Sequence, residues 1–278
     1  MSAVGEISRL LPVEGRDAHI LSGRIYLELY AMRRRRLPKV APNISIAMMD
    51  RQFVNWATRP FAGLAECRFV PAIGSIGEEF LVEIAGVKAR DRSLGIGDGV
   101  MVSLPPVYLN RSPGFMFHAS GILETNATTR IYLALRTRHA RAYFDNLRVS
   151  LTRALPAFAM KALSNPANYS RNDAGVIYVA RQDRKRAMMI VSNWAAGLAV
   201  PLRRLPPLGT CRFDRGLGWA DSPILSGDTE VSYGQWLTSL LVDAAKEFGS
   251  EISTGQLTRL IEERGRRADK IWDISADS

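Results

Sequence analysis

The chain has 278 residues, long enough for one large domain or two small ones around a substantial core. Hydrophobic residues make up 47%, which excludes general disorder, and no apolar run approaches the roughly 20 residues that cross a bilayer. The net charge is +10 and all but six of the 37 basic residues are arginine, whose forked guanidinium suits carboxylates and phosphates, so anionic partners are favoured.

The first stretch, "MSAVGEISRLLPVEGRDAHI", lacks a basic start followed by an apolar core, so no secretion signal is expected. Cys67 and Cys211 have no C-x-x-C spacing and are too few for a disulfide framework, which fits a reducing, cytoplasmic setting. Next, "SGRIYLELYAMRRRR" (22–36) reads as an amphipathic helix with a basic end, broken by Pro38 and Pro42. "ECRFV", "EFLVEIAGV" and "GVMVSLP" then read as strands, with "GIGDG" (95–99) as a hairpin turn. "NRSPGFMFHASG" (110–121) is a turn entering an aromatic strand. In "TTRIYLAL", Thr129, Ile131, Leu133 and Leu135 share one face of a strand, and Arg130, Tyr132 and Ala134 the other.

Residues 137–155 carry Tyr143, Leu147, Leu151 and Leu155 at helical spacing before Pro156. "FAMKALSNPANYSRNDAGVIYV" (158–179) follows as two apolar strands around a polar turn, and a helix is expected around 184–196. "GTCRFDRGLGWADSP" reads as loop. "SYGQWLTSLLVDAAKEFG" is a strong helix with Gly249 as its C-cap, and the last helix opens with Ser253 and Gln256 at capping-box spacing. Strands and helices mix without regular β-α alternation, so the predicted class is α+β with a largely antiparallel sheet flanked by helices. The predicted organisation is a helical region (1–75) packed on a main domain (76–278), together one compact unit.

The usual cofactor and hydrolase signatures are missing. No Walker loop, nucleotide-binding glycine fingerprint, HExxH or zinc spacing is present, and His19, His118 and His139 are too dispersed to suggest a metal. No cofactor is therefore expected. What stands out is Lys161, a lysine among Phe158, Met160 and Leu163, in a chain with few lysines. A bare ammonium in an apolar setting is costly unless it is paired or its pKa falls. It is either a snorkelling strand residue or the base of an active site. Nearby in sequence, residues 130–153 hold six arginines against one acid, Asp145. A neutral amine beside guanidinium groups suits removal of a Cα proton with loss of a neighbouring phosphate.

The run of "GFMFHASG", "RIYLAL", "PAFAMKALSNPANYSRNDAGVIYV", "GLGWADSP" and "SYGQWL" resembles the HopA-type effector domain over roughly residues 78–248. That domain occurs in plant-pathogen type III effectors, and as the lyase partner of a small kinase in class V lanthipeptide and thioamitide biosynthesis. The resemblance implies a fold similar to phosphothreonine lyases. It also implies elimination of phosphate from phosphoserine or phosphothreonine of a ribosomal precursor peptide, giving dehydroalanine or dehydrobutyrine. Lys161 matches the lysine base of the "F-x-x-K" strand, and His118 stands where a histidine acid could be. Arg171 and Arg130 match phosphate-binding arginines, with Arg212 as a further candidate before "GLGWADSP". Ser232-Tyr233-Gly234 replaces the family's usual "SFG".

The implied partners are the phosphorylated precursor peptide and the small kinase, with no nucleic acid and no membrane. Arg171 and Asp173 flanking Asn172 also fit a structural turn, and His118 also fits a satisfied core histidine. A secreted effector that binds a host protein without chemistry is the alternative function. A nucleic-acid-binding domain has only the charge in its favour, since the aromatics occupy core-like positions.

Overall fold

The computed structural model describes residues 25–31, 49–61, 66–76, 79–84, 87–91, 95–96, 99–104, 106–109, 112, 114–121, 123, 128–223, 232–248, 252–264, 266 and 271–272. It is α+β, with two antiparallel sheets. The smaller is built from β1 (Glu66–Ile76), β2 (Glu79–Ile84), β3 (Val87–Asp91), β4 (Gly95–Ile96) and β5 (Gly99–Leu104), in the order β3-β2-β1-β5-β4. The boundary expected at residue 75 falls inside β1, because its pairing with β5 already begins at Glu66. Ile96 pairs with Gly99, so "GIGDG" does close a hairpin. Gly249, the expected C-cap, lies outside the described residues.

The larger sheet carries the site. Its six strands are β6 (Phe115–Ser120), β7 (Thr128–Leu133), β8 (Phe158–Leu163), β9 (Gly175–Ala180), β10 (Cys211–Asp214) and β11 (Leu217–Asp221), in the order β10-β11-β7-β9-β8-β6. The stretch 211–223 is thus a hairpin rather than the expected loop. The longer helical elements are a π-helical segment (Ile25–Ala31), α1 (Arg51–Thr58), which is absent from the sequence expectations, a mixed 3-10, α and π helix here called α2 (137–154), α3 (Arg184–Ala196) and α4 (Tyr233–Phe248). A last helix, α5 (Thr254–Glu263), is capped reciprocally by Ser253 and Gln256, as its sequence predicts. Among the described residues no helix is long and apolar enough to cross a membrane.

Strand parity divides the sheet between two environments. On one face Met116, Ile131, Met160 and Ile177 pack under α1, α2 and α3, where Phe53, Phe144, Leu147, Leu151 and Val191 complete an apolar core. On the other, Tyr132 and Val176 join Tyr30 of the π-helical segment and Tyr233, Trp236, Leu240 and Leu257 of α4 and α5. β7 is buried along its whole length, with Thr129, Ile131 and Leu133 on the first face and Arg130 and Tyr132 on the second. The π-helical segment is tied down by backbone hydrogen bonds from Asn172 N–H to the Ala31 carbonyl (2.7 Å) and from Leu208 N–H to the Tyr30 carbonyl (3.1 Å).

Candidate functional site

Lys161 sits in the middle of β8, directly opposite Phe117 on β6 and Val176 on β9. That register puts its side chain on the second face of the sheet, beside the tyrosines rather than in the methionine-rich core. Its ammonium lies 4.4 Å from the centre of the Phe115 ring and 5.6 Å from that of Tyr178. Aromatic faces attract a cation by about 0.5–2 kcal/mol depending on how dry the site is. The amine forms no hydrogen bond or ion pair among the described residues, so its head is not locked to a carboxylate. The backbone beneath it is held from the opposite face: the Tyr143 hydroxyl lies 3.2 Å from the Lys161 carbonyl and 2.9 Å from the Val176 carbonyl.

A cavity of about 750 Å3 opens over Lys161. The sheet supplies Phe115, Arg130, Tyr132 and Tyr178 to its wall, the π-helical segment Tyr26 and Tyr30, and α4 Gln235, Ser239 and Lys246. Gly234 is what lets α4 approach. A Cβ there would come within 2.6 Å of the Tyr30 ring and 2.8 Å of the Tyr26 ring. The start of α4 is fixed by a reciprocal cap, in which the Ser232 hydroxyl accepts from Gln235 N–H (3.0 Å) and the Gln235 side chain accepts from Ser232 N–H (3.2 Å). The tyrosine at 233 is buried and donates its hydroxyl to the Gly209 carbonyl (2.8 Å).

The cations around the cavity have different duties. Arg130 projects from β7 on the Lys161 side, its guanidinium 4.9 Å from the Tyr178 ring and its Nε donating to Ser222 Oγ at 2.7 Å. Ser222 also accepts from Thr128 Oγ1 (3.0 Å), so a hydroxyl held on two sides aims the guanidinium at the cavity. Arg171 is turned elsewhere: Nε and Nη2 donate to the two oxygens of Asp173 at 2.9 and 2.7 Å. Its guanidinium stands 5.7 Å from the Phe115 ring, which Lys161 also approaches. The Tyr26 hydroxyl also donates to Asp173, at 3.3 Å.

Asp173 is 2% exposed and lines the cavity. Burial alone would raise its carboxyl, but the charge and hydrogen bonds of Arg171, with a further contribution from Lys161, hold it below the usual carboxylate range. Burial opposes the charge on Arg171 as well, and Asp173 more than offsets that.

Two sequence expectations change in the structure. His118 does not stand beside Lys161. It pairs with Met160, one residue out of step, so its ring lies on the opposite face, 4.9 Å from Phe61 and 5.9 Å from Phe158. There it is 5% exposed, with Nδ1 2.7 Å from the Pro106 carbonyl. It is a satisfied core histidine, and the acid role is withdrawn. Arg212 lies on the edge strand β10, four strands away from β8, exposed and donating Nε to the Asp214 carbonyl (3.2 Å). It is no part of the cavity wall. Arg171 does not line the cavity itself, and the fork expected to clamp phosphate is occupied by Asp173.

Asp173, Ser222 and Tyr26 escaped the sequence reading as site residues. Only the first left a signal, the run Arg171-Asn172-Asp173 itself.

An α+β domain with a lysine-bearing cavity between its antiparallel sheet and an aromatic helical wall is therefore the class to which the chain conforms. The HopA1 effector protein family matches residues 109–262, over half of the sequence, and the chain belongs to that family. Its structure is similar to that of an effector protein from Pseudomonas syringae pv. tomato strain DC3000, at 17% identity and a TM-score of 0.43, covering 57% of this chain and 63% of that one. It is also similar to an effector protein from Pseudomonas syringae pv. syringae strain 61, at 16% identity and a TM-score of 0.42, covering 59% of this chain and 64% of that one. The chain thus spans less than two thirds of the length of either protein. Among curated proteins none matches by sequence.

Proposed function

We propose that the cavity is the active site of a phosphoserine/phosphothreonine lyase acting on a kinase-phosphorylated ribosomal precursor peptide. The observation that carries this reading is the Lys161 amine, packed on aromatic rings without a hydrogen bond or ion pair among the described residues, in a cavity that Arg130 also lines. Lys161 takes the Cα proton. The Cβ–O bond breaks, its electrons leave with phosphate, and a Cα=Cβ double bond forms. Arg130 faces the charge that develops on the departing oxygen.

With His118 on the other face, no histidine is needed as acid. A phosphate monoester has a second pKa of about 6, so its monoanion brings its own proton and leaves as hydrogen phosphate. Asp173 balances Arg171 and holds Tyr26 against the cavity, a positioning role. The kinase that would phosphorylate the peptide is the implied partner, and the cytoplasm the implied setting.

Incubation with a phosphothreonine peptide should remove about 98 Da per site, the mass of phosphoric acid, in a base-assisted elimination. If cognate phosphopeptide survives intact with the kinase present, the lyase reading fails. The family match favours a second reading, an effector that binds a host protein without chemistry. That reading predicts no mass change with any phosphopeptide, and capture of a host protein that survives Lys161→Ala.

A further inference from the structure

A second cluster of arginines lies at the other end of the turn that carries Arg171. The start of α2, the 3-10 turn Pro166–Ser170 and the loop before β10 enclose a pocket of about 310 Å3. Arg136, Arg138 and Arg203 line it together with Thr137, Tyr169 and Ser170, and no carboxylate does. Three guanidinium groups facing one concavity repel each other unless an anion sits between them.

Arg203 bears most of that cost. Its Nη1 donates to the Ser170 carbonyl, but Nε and Nη2 are buried without a hydrogen-bond partner among the described residues. Buried donors on a charged group are seldom left unmet, because each forfeits its hydration for nothing. Burial, followed by the charge of Arg136, lowers the Arg203 guanidinium to about 10. The backbone that carries this side chain is held at Arg203 itself and at the next residue. Arg203 N–H donates to the Ala134 carbonyl (3.0 Å), and Gly216 N–H to that of Arg204 (3.1 Å). Arg136 gives Nε to the Pro201 carbonyl (3.1 Å), which orients the remainder of its fork.

We infer that this pocket is a binding site for a phosphate oxyanion, held by Arg136, Arg138 and Arg203. A phosphate carries about 1.5–2 negative charges and three acceptor oxygens, which matches three guanidiniums better than a single carboxylate does. The phosphate could be inorganic or could belong to a phosphorylated side chain. Either source presents the same oxygens.

The test is a calorimetric titration of the full chain with inorganic phosphate, in the wild type and in Arg138→Gln, Arg203→Lys, Arg130→Gln and Lys161→Ala. Arg138 is exposed and forms no hydrogen bond among the described residues, so its replacement leaves the fold intact. Affinity should fall about tenfold or more in R138Q and R203K, the loss expected when a charge-assisted fork is removed, and persist in R130Q and K161A. A phosphothreonine peptide is titrated in competition. If it displaces inorganic phosphate the peptide is a source, and if it does not the site takes the free ion. No binding at millimolar phosphate, or binding insensitive to both R138Q and R203K, would overturn the proposal. So would binding lost only in R130Q or K161A, which would place the ion in the larger cavity. Because nothing here depends on turnover, failure of the lyase reading leaves this result standing.

Discussion

The two faces of the six-stranded sheet are made by alternate residues of the same strands, yet they bury different chemistry. Under α1 to α3 the sheet presents Met116, Ile131, Met160 and Ile177, and the one imidazole there, His118, is spent on a backbone carbonyl. Under the π-helical segment and α4 it presents Arg130, Tyr132, Lys161 and Tyr178, and the packing leaves a cavity. The first face maximises dispersion and apolar burial. The second leaves space and keeps its charges among rings and hydroxyls. Being charged or titratable is therefore no guide to function in this sheet, and which face a strand position serves decides it.

Substitutions on each face should separate these roles, and the largest effect is expected at Lys161. Lys161→Ala should lower the rate of phosphopeptide elimination about 100- to 10,000-fold, the usual worth of a general base, with the melting temperature nearly unchanged. Retention of the full rate would remove Lys161 from the chemistry. Asp173→Asn should cost about 3–5 kcal/mol in urea unfolding at pH 7, because it strands the Arg171 guanidinium in a buried setting. Since the folded carboxyl titrates below the unfolded one, its stabilisation is complete above about pH 4, the unfolded value, and is lost as pH falls through the folded value. The gap between wild type and variant should accordingly narrow on acidification. A gap that stays constant to pH 2 would show that the carboxylate charge is not what stabilises the pair.

His118→Ala sharpens the contrast from the apolar side. It should cost about 2 kcal/mol of stability by opening a hole beside Phe61 and Phe158, while elimination measured at a temperature where the fold persists stays within about threefold. A loss on the scale of Lys161→Ala would return the histidine to the mechanism. Ser222→Ala should weaken substrate binding by about 1.5 kcal/mol, through a less well aimed Arg130, and appear in KM more than in kcat. The smallest change belongs to Arg212→Ala, within about 0.5 kcal/mol in stability and with unaltered turnover, as befits an exposed edge-strand residue.

What could be read in advance followed local periodicity. The alternation in "TTRIYLAL" placed Arg130 and Tyr132 opposite Ile131, because a strand's period of two is a property of the chain itself. Ser253 and Gln256 announced α5 for the same reason: a cap is complete within four residues. The sequence leaves His118 open between acid and satisfied core histidine because its face depends on register between β6 and β8, and a slip of one residue reverses every side chain. The β10–β11 hairpin was hidden by its glycines. Gly218 looks like a loop residue, yet a Cβ there would lie 2.5 Å from Thr210 Oγ1 and 2.7 Å from Pro206 Cβ, so close packing of a strand demands it. Ser222 reaches Arg130 over a separation of 92 residues, which no local pattern encodes.

Tyr26 and Tyr30 give the cavity a wall drawn from sequence far upstream of residues 109–262, the part that the chain shares with its family. The shared segment is thus narrower than the working unit. A version trimmed to it would keep Lys161 and Arg130 but lose the hydroxyl that rests on Asp173, and would bare the aromatic end of α4 to solvent. Stickiness and a weakened grip on ligand would then arise together, from the absence of two side chains that lie outside the matched residues.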